Sequence, residues 1–115
     1  MLLEEKKHKS CYWNEEFNPL VEIRYLKDGK VQTKTISRGM LGTLDFLVQK
    51  EGQWCSPLEM IKEQGFDKAD WHMLSGLEDE LCLALCVVGL VEFKQSNNGY
   101  AFLYRTTITF PDYLV

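Results

Sequence analysis

The stretch LCLALCVVGLVEFKQSNNGYAFL, residues 81–103, decides the fold. Residues 81–88 are apolar throughout, about two helical turns and far short of a membrane span. Gly89 follows, the residue type that ends a helix in left-handed backbone. Leu90-Val91-Glu92-Phe93-Lys94 then reads as a strand, Gln95-Ser96-Asn97-Asn98-Gly99 as a turn cluster, and residues 100–106 as the returning strand. The stretch is the end of a helix followed by a hairpin.

Working back from it, helical spacing extends to about residue 68, with Asp67 as its N-cap. Leu74, Leu77, Leu81, Leu85 and Val88 form the expected core stripe, with Ala84 beside them. Leu83 and Val87 fall on the far side, where another element or a second subunit must cover them. Earlier still, Ser56-Pro57-Leu58-Glu59 has an N-cap serine, proline at the first helical position and glutamate at the third, which is a capping box. That helix is short, since Gly65 offers the left-handed position after it and Phe66 the apolar residue beyond. Residues 39–50 form a first helix, with Met40, Leu41, Leu44, Leu47 and Val48 on one stripe, ended by Glu51-Gly52.

Residues 20–36 change period to two. Val21, Ile23 and Tyr25 share one strand face, and Asp28-Gly29 is a type I′ turn signature. A two-residue loop sets Tyr25 against Gln32, Ile23 against Lys34 and Val21 against Ile36. The sides and tip of this hairpin carry Arg24, Lys27, Lys30 and Lys34, with Arg38 just beyond. Residues 1–19 read as a polar arm anchored by Cys11-Tyr12-Trp13 and Phe17, and residues 20–115 as a single domain that includes the hairpin. The end, from Ile108, is apolar and interrupted by Pro111.

The order of three helices and a two-stranded hairpin resembles the winged helix-turn-helix superfamily. The resemblance is carried by Gly89-Leu90-Val91-Glu92 and Gly99-Tyr100-Ala101-Phe102, similar to the "G-L-V … G-Y-x-F" passage of bacterial winged-helix proteins, and it covers about residues 39–105. It implies an α+β fold: a winged helix-turn-helix domain of three helices plus a C-terminal β-wing, here with an extra N-terminal β-hairpin. In members that bind DNA, the first half of the third helix enters the major groove and the wing touches phosphate. Carried onto this chain, the outward positions of that helix are Trp71, Ser75, Glu78 and Asp79, with Glu80 nearby.

Those residues do not suit DNA. A groove-reading helix offers Arg, Lys, Asn, Gln, Ser or Thr, whereas Glu78-Asp79-Glu80 would repel phosphate. The chain of 115 residues is 45% hydrophobic and 26% charged, ordinary usage for one domain with a core, and its net charge is −4. The charge is uneven. Residues 51–92 hold nine carboxylates against two lysines, a net of −7, while residues 1–50 hold nine bases against seven acids. The basic residues available for nucleic acid are Arg24, Lys27, Lys30 and Lys34 of the hairpin and Lys94 and Arg105 of the wing; lysines on an exposed ribbon serve edge protection equally well.

Other constellations are weak. Cys82 and Cys86 lie four apart on one helix and could in principle join Cys11, Cys55, His8 or His72 around zinc. Without a CxxC knuckle, the small buried thiol is the favoured reading and no metal is expected. His72, beside Trp71, has no indicated nucleophile or acid partner, and no phosphate loop, G-x-S-x-G or H-E-x-x-H occurs, so no enzyme and no cofactor are expected. Trp13, Trp54 and Trp71 read as packing residues. The start of the chain has no apolar segment of signal-peptide length and no segment spans a membrane, which makes the cytoplasm, with its reduced thiols, the expected setting.

The functional expectation is a non-enzymatic regulatory or adaptor protein. It would work by protein–protein contact through Trp71, Ser75, Glu78, Asp79 and Glu80, with a homo-oligomer face at Leu83 and Val87. The alternative is a dimeric DNA-binding transcriptional regulator using the wing and the basic hairpin.

Overall fold

The computed structural model describes residues 18–111. The N-terminal arm up to Phe17, with His8, Cys11 and Trp13, and the tail after Pro111 lie outside the described residues. The elements, in order, are β1 (Leu20–Lys27), β2 (Lys30–Ser37), α1 (Arg38–Gln49), α2 (Pro57–Glu63), a 3₁₀ turn (Lys68–Asp70), α3 (Trp71–Val87), β3 (Glu92–Gln95) and β4 (Phe102–Arg105). The result is an α+β fold of three helices and two small antiparallel sheets.

The β1–β2 hairpin closes through Asp28 and Gly29, both at positive φ (53° and 77°), as a type I′ turn requires. Its register sets Tyr25 against Gln32, Ile23 against Lys34 and Val21 against Ile36, the expected pairing. Ile23, Tyr25 and Ile36 are buried on the inner face. The outer face, with Glu22, Arg24, Thr33 and Thr35, is exposed. The C-terminal segment adds a rung that periodicity does not reveal: Leu26 and Thr109 exchange backbone hydrogen bonds of 2.8 and 3.1 Å, and Ile108 and Phe110 on either side are buried.

The starts of α1 and α2 are satisfied by side chains, whereas neither Asp67 before the 3₁₀ turn nor Asp70 before α3 makes a capping side-chain hydrogen bond. Ser37 accepts from the Met40 N–H at 3.2 Å, and the Asn18 side chain accepts from the Gly39 N–H at 2.7 Å. The α2 capping box is complete: the Ser56 hydroxyl accepts from the Glu59 N–H at 3.1 Å and the Glu59 carboxylate accepts from the Ser56 N–H at 3.0 Å. The end of α3 is a Schellman motif. Gly89, at φ 84°, donates to the Cys86 carbonyl, Leu90 donates to the Leu85 carbonyl at 3.0 Å, and Leu85 and Leu90 are both buried. The expected boundaries of all three helices thus hold to within a few residues; the helix expected from about residue 68 opens as a 3₁₀ turn.

α1 and α2 pack on α3, and β4 closes the core between α2 and the hairpin. Cys55, between α1 and α2, exchanges two 2.8 Å hydrogen bonds with Tyr104, so it pairs with β4 on the side opposite β3.

The inward face of α3 corrects the expected stripe. Cys82 and Leu85 are fully buried, while Leu74, Leu77, Leu81 and Val88 are only half-buried. The buried line therefore runs through Cys82 and Leu85 with Glu78 one turn before them. Apolar residues on nearly every side of the second half of α3 leave the pattern without direction. The small Cys82 settles it, because its thiol lets the Met60 sulfur of α2 approach to 4.0 Å. Burial pushes the Cys82 thiol well up, which keeps it protonated and apolar. Among the described residues no helix is long and apolar enough to cross a membrane.

Candidate functional site

The three consecutive acids of α3 do not share a surface. Successive residues on a helix turn by about 100°, and here they go to three different neighbours. Glu78 points beneath α1, where the Thr43 hydroxyl donates to it at 2.8 Å. Burial holds its carboxyl above the usual range, partly offset by that hydrogen bond. It also lines a hollow of about 220 Å³ between α1, α2 and the first half of α3. Asp79 points toward β4 and accepts from the Tyr104 hydroxyl at 2.7 Å. That tyrosine is fully buried, and burial together with Asp79 raises its pKa. Only Glu80 is exposed. Trp71, expected on the same surface, is half-buried: its indole N–H donates to the Phe66 carbonyl at 2.8 Å and the Lys62 ammonium lies 4.9 Å from its ring.

The basic residues are also distributed otherwise than a phosphate-binding surface needs. The Lys34 ammonium donates to the Val88 carbonyl at 2.8 Å, and the Lys27 ammonium to the Gly89 carbonyl at 3.1 Å. Both satisfy carbonyls at the end of α3 and oppose its negative dipole end. In the β3–β4 hairpin, Lys94 and Arg105 lie 4.7 and 4.5 Å from the ring of Trp54, and Arg105 also pairs with Glu92 at 3.0 Å. The pairing of Cys55 with Tyr104 explains the arrangement: it lays Trp54 beside Arg105 on the outer face of the β3–β4 sheet. Arg24 and Lys30 lie on the exposed sides of the hairpin.

What the fold does bring together is a groove of about 480 Å³ between the start of α2, the exposed side of α3 and the β3–β4 hairpin. Its walls are Pro57 and Leu58 on one side and Tyr100, Ala101 and Phe102 on the other; His72, Ser75, Gly76 and Asp79 of α3 form its floor. Ser75 and Asp79 are the two expected contact residues that reach it. The Ser75 hydroxyl donates to the His72 carbonyl, which leaves Asp79 as the lining acid; no lysine or arginine lines the groove.

Tyr100 is the feature sequence reasoning passed over. Its loop is held by its own hydrogen bonds: Ser96 N–H to the Ala101 carbonyl at 2.8 Å, Gly99 N–H to the Ser96 carbonyl at 2.9 Å, and Tyr100 N–H to the Asn98 side chain at 3.0 Å. The tyrosine that this loop carries is 91% exposed. The cluster Ser96-Asn97-Asn98-Gly99 signals the turn, but no sequence pattern says where the next side chain points. A second exposed line runs along α3 through Met73, Gly76, Glu80, Leu83 and Val87, with Val87 85% exposed. Leu83 and Val87 therefore do face outward.

Of the cysteines described, Cys55, Cys82 and Cys86 are free, and among the described residues no three His, Cys, Asp or Glu side chains cluster as a metal site requires. Compared with family models, curated proteins and solved structures, the chain matches none; its function must be read from this geometry.

Proposed function

We propose that the protein is a non-enzymatic regulatory or adaptor module of winged-helix type that acts by protein–protein contact, with the α3–wing groove as its main contact surface. The observation that carries this reading is the engagement of the cations. Lys27, Lys34, Lys94 and Arg105, four of the six bases otherwise available for phosphate, are bound to carbonyls, to a tryptophan ring or to Glu92. The groove offers aromatic and aliphatic walls, as protein interfaces do, and none of these cations lines it. The winged-helix assignment is supported by the order of the helices and by Cys55 pairing with the β3–β4 hairpin. Self-association through Leu83 and Val87 belongs to the same reading, since both leave apolar surface in water.

Titration of the chain with random-sequence duplex DNA tests the proposal. Negligible binding at physiological salt is expected, little changed in Glu80→Gln. Tight binding that falls steeply with salt would favour the DNA-binding regulator instead. Glu80 is the acid to change, because Glu78 and Asp79 hold hydrogen bonds inside the fold.

A further inference from the structure

We infer that the α3–wing groove takes an arginine side chain carried on an apolar segment of a protein partner; this rests on the protein-contact reading above. Three independent observations converge on it. The first is electrostatic. Asp79 lies at the back of the groove, with one carboxylate oxygen fixed by the Tyr104 hydroxyl at 2.7 Å and the other without a partner among the described residues. The hydrogen bond aims the carboxylate, and the surrounding segment, residues 51–92 with its net −7, deepens the negative potential. A cation is the complement.

The second is the pair of aromatic rings at the wing. Tyr100 is 91% exposed on a hydrogen-bonded loop and Phe102 is 37% exposed. A planar guanidinium stacks on such rings while reaching a carboxylate, which the compact, strongly hydrated ammonium of lysine does less well. The same chemistry is already present elsewhere in this molecule, where Arg105 lies 4.5 Å from the Trp54 ring and pairs with Glu92.

The third is Gly76. It sits inside α3 on the groove floor, where, as at Gly42 of α1, a methyl group added at its Cα would meet nothing within 4 Å; what sets Gly76 apart is its place in the groove. Packing within the fold does not require glycine there, and glycine inside a helix is about 1 kcal/mol less favourable than alanine. Its bare backbone leaves room for a partner's main chain to lie against the helix.

The test uses the folded, isotope-labelled chain and three short probes: acetyl-Leu-Arg-Leu-amide, the same peptide with citrulline for arginine, and the same peptide with glutamate. Citrulline keeps the shape of arginine and removes its charge. The arginine peptide is expected to shift the amide resonances of Gly76, Asp79 and Tyr100, with citrulline about tenfold weaker and glutamate silent. Asp79→Asn should abolish the difference between arginine and citrulline. Tyr100→Ala, at a side chain that supports nothing in the fold, should weaken the arginine peptide several-fold. Equal binding of arginine and citrulline peptides in the groove would overturn the arginine assignment while leaving protein contact standing. Displacement of the arginine peptide from the groove by a random-sequence duplex at physiological salt would overturn both.

Discussion

Lys34 is a residue whose role depends wholly on where its tip lands. In sequence it is one of several lysines on a ribbon; in the fold its ammonium satisfies the Val88 carbonyl at 2.8 Å. Lys34→Met keeps the aliphatic stem and removes that hydrogen bond, and should destabilise the protein by about 1 kcal/mol. Lys30→Met, at the exposed tip, should be neutral. Chemical denaturation of both variants checks the contrast, and equal effects would contradict it. Glu78 gives a pH-dependent counterpart. Burial raises its folded pKa above the ordinary value of 4.5, so the native state holds the proton more tightly than the unfolded chain does. The stability associated with it is therefore fully present below the unfolded value and is lost as pH rises through the folded pKa. Glu78→Gln can still accept from Thr43, and its stability advantage over the wild type should grow between pH 4 and pH 7. An advantage that does not change with pH would contradict the burial of this carboxyl. Neither role was legible in the sequence: a lysine's reach and a helix's rotation are decided by neighbours far along the chain.

Whole elements were more legible, because their signals are local. The Asp28-Gly29 turn fixed the hairpin register, and the α2 capping box is present with both of its hydrogen bonds. Ser56→Ala should therefore cost about 1 kcal/mol, and Gly65→Val should cost more, since Gly65 sits at φ 85° where a β-branched residue is strained. Thermal or chemical unfolding measures both. α3 shows where local signals end. Its length was readable, but its rotation was not, since Leu83 and Val87 make the helix apolar all round and the small Cys82 decides the inward face. Gly76→Ala within α3 should stabilise the protein by roughly 0.5–1 kcal/mol and at the same time weaken the proposed partner contact. A variant that is more stable and binds a partner no less tightly would show that Gly76 has no part in recognition.

At the scale of the molecule, the two sheets do different work. The N-terminal hairpin, joined by Thr109 at Leu26, covers the core and caps the end of α3; the C-terminal hairpin, joined by Cys55, walls the groove. Neither joining rung has a local signature, so the sequence announced two hairpins without showing what each was for. The candidate site was legible only in part for the same reason. Ser75 and Asp79 lie in the groove, but Glu78 and Trp71 turn to neighbours within the fold, and Tyr100 becomes visible only once the β3–β4 hairpin is placed beside α3. The exposed line through Leu83 and Val87 predicts self-association, and light scattering at micromolar concentration should give more than the 13.4 kDa of one chain. Val87→Lys should return it to a monomer, and a wild-type monomer would contradict this part of the reading. The central claim, that the α3–wing groove meets a protein rather than nucleic acid, is tested most directly by a photoreactive amino acid placed at Tyr100 and irradiated in living host cells. The account predicts a discrete protein adduct that survives nuclease and is lost when Asp79 is also changed to Asn; an adduct that nuclease removes would contradict it.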